Sequence, residues 1–133
     1  MRIAITSACT AVLLVAPTAP AAWADTFAPP EVPAGGVEFV DDPSLVNPHP
    51  ARIEGWSRAT RPDAVAVHFT SGTPECYGAH ATVTETPESV TVDLLVGTRA
   101  DAVDRACIMI ALFGTLDVPL QAPLGDRAVL SAS

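Results

Sequence analysis

Apolar and polar residues alternate along three stretches of this chain. In 64–70, Val65, Val67 and Phe69 alternate with Ala66, His68 and Thr70. In 79–85, Ala81 and Val83 alternate with His80, Thr82 and Thr84, and in 90–96, Val90, Val92 and Leu94 alternate with Thr91, Asp93 and Leu95. A period of two in runs rich in β-branched residues predicts strands with one buried face. The joint Glu85-Thr86-Pro87-Glu88-Ser89 predicts a tight hairpin turn. Centring the turn on Pro87-Glu88 pairs Val83 with Val92 and Ala81 with Leu94, apolar against apolar. A slip of one residue would set Val83 against Asp93 and bring a carboxylate to the core. The three runs are expected to form an antiparallel meander, with His68, His80, Thr82 and Asp93 on its outer face.

Weaker patterns complete the fold. Val37–Val40 alternates and could add an edge strand. Leu116, Val118 and Leu120 repeat the alternation, Pro123–Asp126 reads as a turn, and Arg127–Ser131 can form a last strand. Ile53–Arg58 contains Trp56 but also Gly55, which weakens a strand interior. Residues 101–113 fit two readings. Asp101 could cap a helix with Val103, Ala106, Cys107 and Ile110 on its inner stripe and Gly114 at its end. Equally, Cys107–Phe113 could be a buried strand; a short helical turn followed by a strand reconciles the two. The expected fold is mainly β: a small antiparallel sheet or sandwich of about 5–7 strands, with room for one short helix near 101–107.

Composition divides the chain in three. Residues 1–24 have a basic start at Arg2, an apolar run Ile3–Ala16, helix-breaking Pro17 and Pro20, and small residues at Ala22 and Ala24. This is the signature of a secretory signal peptide cut before Asp25. The apolar run is too short to span a bilayer, which takes about 20 residues. Residues 25–50 hold six prolines, five acidic residues and no basic one. That composition predicts a largely disordered, extended linker. Residues 51–133 carry the regular patterns and form the expected domain.

Charge narrows the partners. Lysine is absent, and the chain after residue 24 sets fifteen acidic residues against six arginines, a formal charge of −9. Such a surface is unsuited to nucleic acid and is repelled by anionic membranes. The expected partner is an extracellular protein or a cell-envelope component, with no membrane insertion once the signal is removed.

Cys9 leaves with the signal, so Cys76 and Cys107 remain. In an oxidising compartment two cysteines in a small domain read as one disulfide. Their spacing is unlike the Cys-x-x-Cys of a redox pair. The ending Val118-Pro119-Leu120-Gln121-Ala122-Pro123-Leu124-Gly125-Asp126-Arg127, with the signal, the proline-rich leader and the lone disulfide, resembles small exported actinobacterial proteins of unassigned function. The resemblance implies a compartment and a fold, and carries over no catalytic residue. The secreted subtilisin-inhibitor family resembles a two-disulfide sandwich, whereas this chain after residue 24 can make only one.

Chemistry is sparse. The sequence contains no phosphate loop, no Gly-x-Ser-x-Gly elbow, no paired-cysteine zinc motif and no His-Glu-x-x-His, so no cofactor is implied. In the expected meander His68, His80 and Asp93 would share one face, a two-histidine, one-carboxylate set suited to zinc or iron. The plain alternative is a solvated polar face. Trp56 and Tyr77 could anchor a partner, or could fill the core and pack beside the disulfide. Three readings follow: a non-enzymatic binding or structural module, a metal-dependent protein using His68, His80 and Asp93, and an inhibitor presenting the loop 71–77 tethered by Cys76.

Overall fold

The computed structural model describes residues 26–133; the expected signal peptide lies outside them. Among the described residues eight strands form two mixed sheets packed face to face, with one turn of 3-10 helix. Strands β3 (Gly55–Arg58), β4 (Ala64–Ser71) and β7 (Leu112–Pro119) pair antiparallel, and β1 (Val37–Phe39) joins β7 in parallel. In the second sheet β5 (Tyr77–Glu85) and β6 (Ser89–Thr98) form the hairpin, in the expected register: Val83 pairs with Val92 and Ala81 with Leu94. The far edge of β6 is shared by β2 (Val46–Pro50), antiparallel, and β8 (Ala128–Ser131), parallel. Among the described residues no helix is long and apolar enough to cross a membrane.

The mainly β sandwich is as expected, but the three-stranded meander within it does not form. β4 does not pair with β5; it crosses to the other sheet and lies between β3 and β7. Val65, Val67 and Phe69 do face the core, where they meet Val90, Val92, Leu94, Leu116 and Val118. Phe39 adds an edge-on contact to Phe69, with ring centroids 5.2 Å apart. The loop Gly72–Cys76 is long enough to change sheets, which lets β4 and β5 bury their apolar faces against each other's sheet rather than side by side. Burial of each such side chain stabilises the fold by about 1.5–3 kcal/mol.

Residues 26–50 overturn the expectation of a disordered linker: they form a belt around the sandwich. Phe27 bridges Ser131 of β8, and Glu31 bridges Trp56 of β3. The chain then crosses the outer face of the first sheet, from outside β3 to β1 on the opposite edge. Four strand spacings are about 19 Å, and the six steps from Glu31 to Val37 reach about 20–22 Å when fully extended. Extended proline-rich chain therefore fits this crossing. Gly36 (φ 106°) passes so close to β7 that a Cβ would lie 3.0 Å from the Phe113 carbonyl oxygen. Asp41 next bridges Ala79 of β5. Residues 42–45 cross the second sheet over Gly78 and Gly97, and β2 pairs with β6 on the far side. Pro48 and Pro50 are tolerated in β2 because it is an edge strand, with a register shift between Val46 and His49. The belt supplies β1 and β2, which is why the strands number eight.

The ambiguous stretch also resolves. The helical turn is Ala100–Ala102, and Arg99 at its start makes no side-chain cap, so Asp101 caps nothing. The strand begins only at Leu112. Residues 106–111 are neither helix nor buried strand but an exposed loop without turn, bend or bridge.

Candidate functional site

The three residues of the expected metal face are not brought together. His80 and Asp93 do share the outer face of the β5–β6 hairpin, where His80 pairs with Leu95 and Asp93 with Thr82. His80 Nδ1 donates to Asp41 Oδ1 at 3.0 Å, and the same oxygen accepts the Ala81 N–H at 2.9 Å. The belt carboxylate thus engages the histidine. His68 lies in the other sheet and is fully buried. Among the described residues no group of three His, Cys, Asp or Glu side chains is placed to hold a metal ion.

His68 instead forms a buried pair that the sequence pattern gave no sign of. Ser57 pairs with Ala66, one row from His68, and its Oγ is 2.8 Å from His68 Nε2. The imidazole stacks on Phe113 with centroids 5.4 Å apart. Burial holds the imidazole pKa below the usual histidine value, while the Gly35 carbonyl of the belt and the Asp117 carboxylate pull the other way. Nδ1 has no hydrogen-bond partner among the described residues. A serine–histidine pair suggests nucleophilic catalysis, but Ser57 is only 4% exposed, so a substrate cannot reach it, and among the described residues no carboxylate hydrogen-bonds the ring. The pair is structural.

A depression of about 500 Å³ lies where the belt passes from β1 to β2 and is lined in part by Asp42, Tyr77, Arg99 and Asp101. Asp42, Arg99 and Asp101 are already engaged. Arg99 donates to both Asp101 oxygens and to the Pro74 carbonyl. Asp42 accepts the Ser44 hydroxyl and N–H, which hold its carboxyl below the usual range.

The C-terminal run Val118–Arg127 is likewise structural. Arg127 reaches Glu85 Oε1 at 3.1 Å and also donates to the Thr86, Ala122, Pro123 and Leu124 carbonyls. Glu85 accepts the Gln121 N–H at 2.8 Å, and its carboxyl lies below the ordinary value, chiefly through that bond. The motif fastens the last loop to the hairpin.

What stands out from the frame is the loop before β7. Cys107 is joined to Cys76. Cys76 is nearly buried in a turn closed by its N–H to the Thr73 carbonyl. Arg105 donates to the Glu75 carbonyl at 2.6 Å. Leu112 then enters β7 opposite Ser71. Between these anchors Ile108, Met109 and Ile110 are 65%, 97% and 44% exposed. No backbone hydrogen bond reaches residues 106–111 among the described residues. An exposed run of large apolar residues with unpaired backbone is what interfaces are made from. The loop 71–77, expected as the presenting element, is the packed side of the same disulfide: Thr73 and Cys76 are buried, and the Tyr77 ring closes over Gly72. Trp56 packs against the core, as its plainer reading required. The dense apolar run Ile108–Phe113 was visible in the sequence, but only the fold distinguishes its exposure from burial.

No known protein family matches this chain, and no curated protein or solved structure does.

Proposed function

We propose that this chain is an exported, non-enzymatic binding module whose contact surface is the disulfide-tethered loop Ile108–Ile110. The carrying observation is the almost complete exposure of Met109 between Ile108 and Ile110, on a loop fixed at both ends. Preorganisation of this kind lowers the ordering entropy lost on binding. Export is supported by the signal-like residues 1–24, by the disulfide, which persists in oxidising compartments, and by the resemblance to exported actinobacterial proteins. The non-enzymatic reading is supported by the inaccessibility of the Ser57–His68 pair.

The chain has two methionines, Met1 and Met109. Removal of the signal leaves Met109 alone, so incorporation of a photoreactive methionine analogue places the crosslinker on the loop. Illumination of producing cells should give an adduct with a second exported protein or an envelope component, and Met109→Leu should abolish it. No adduct, or an adduct with a second copy alone, would overturn the proposal.

A further inference from the structure

We infer that the occupant of this loop is the cleft of an endopeptidase with a large apolar primary pocket, and that the loop inhibits it; this rests on the loop being a binding surface at all. Side chains of successive residues in an extended segment point to opposite sides. Ile108, Met109 and Ile110 are consecutive and all exposed. A flat partner would cover only one side of such a segment and leave the other wet. An occupant that covers all three must surround the segment and pair with its free N–H and C=O groups. Peptidase clefts do both, since they hold an extended peptide by main-chain hydrogen bonds and read alternate side chains in pockets. Met109, the most exposed of the three, is the residue for the primary pocket. It is unbranched and adaptable, and suits an apolar slot.

The anchors turn a substrate into an inhibitor. If a serine peptidase attacks, its oxygen bonds to the Met109 carbonyl carbon, the bond to the Ile110 nitrogen breaks, and the serine proton passes to that nitrogen. The acyl half stays fastened through Cys107 to Cys76, and the amine half through Leu112 to Ser71. The Ile110 amine remains beside the ester and re-forms the peptide bond, returning the proton to the serine oxygen. Held ends raise the effective concentration of the amine far above that of a released product.

The test is inhibition of three purified peptidases by the full folded domain, with chromogenic peptide substrates. Subtilisin and chymotrypsin represent apolar pockets and trypsin an acidic one. The wild type should inhibit at least one of the first two competitively and leave trypsin active. Met109→Leu should retain the inhibition. Met109→Gly should weaken it by about 30-fold or more, as expected for a central anchor. Met109→Lys should move the inhibition to trypsin, and Met109 is too exposed for that change to disturb folding. Clean cleavage at the loop without inhibition, inhibition indifferent to residue 109, or no inhibition of any of the three would overturn the inference. A photo-crosslink from Met109 to an exported protein that is not a peptidase would overturn it too, while leaving the binding module intact.

Discussion

Gly97→Ala isolates the belt from the rest of the fold. Gly97 sits in β6 with ordinary strand backbone, so alanine meets no conformational obstacle there. Its new methyl would lie 2.9 Å from the Val46 carbonyl oxygen and 3.2 Å from the Pro48 Cα. Both are backbone atoms of the belt, held by pairing of β2 with β6, so β2 itself must move. Overpacking of this kind costs about 1–3 kcal/mol. Reduced freedom of the unfolded chain returns about 0.4–1 kcal/mol. The net loss is about 1–2 kcal/mol, which lowers Tm by about 5–10 °C in a domain of this size. Gly78→Ala is the control. There the close atom is the end of the Leu45 side chain, at 2.6 Å, which can rotate away. Thermal unfolding of the three proteins, with amide exchange at Asp42 and Ala51 in each, gives the answer. A neutral or stabilising Gly97→Ala, or a Gly78→Ala that is the more damaging, would refute a packed belt.

Three further outcomes follow from the structure. Arg127→Ala removes one partner of a pair whose side chains are only 12% and 14% exposed, and should cost about 3–5 kcal/mol in urea unfolding, whereas Glu85→Gln keeps an acceptor for the Gln121 N–H and should cost less. Cys107→Ser should cost about 2–5 kcal/mol and should make 103–111 the first site of proteolytic cutting. Acidification should weaken the fold in two stages. His68 has a depressed folded pKa, so below about pH 6.5 the unfolded chain takes up a proton the folded chain refuses, and stability falls by up to about 1.4 kcal/mol per pH unit. Glu85 and Asp42 have lowered carboxyl pKa values, so their contribution is present above the ordinary carboxylate range and is lost as pH falls through the lower folded values. Urea midpoints between pH 7 and 3 check this, and His68→Gln should remove the first stage only.

The hairpin was legible in the sequence because its information is local. The turn at Pro87-Glu88 and the alternation on both sides fix the pairing of Val83 with Val92, and no distant element competes. The partner of β4 was not legible, because alternation says which face is buried and not which strand lies alongside. Ala64, Ala66 and His68 are small or amphipathic, so they read as an open face, yet all three are buried, His68 between Ser57 and the Phe113 ring. The belt itself was hidden by composition. Proline and acidic residues predict disorder when counted, but here Pro48 and Pro50 sit on an edge strand and Pro33 in an extended crossing, where the missing N–H costs nothing. The loop 106–111 was misread for the opposite reason: apolar density predicts burial, and exposed apolar residues are a feature of sites.

A belted frame presents one unpaired loop, and amide hydrogen exchange of the native domain measures both parts at once. The N–H groups of Val32, Asp42 and Ala51 donate to the Trp56, Ala79 and Leu94 carbonyls, and should exchange as slowly as those of Val67 and Val92 in the core. Those of Ile108, Met109 and Ile110 should exchange at nearly the rate of free peptide, and should slow only when a partner fills the loop. Fast exchange at Val32, Asp42 and Ala51, or protection at Met109 in the isolated domain, would contradict it.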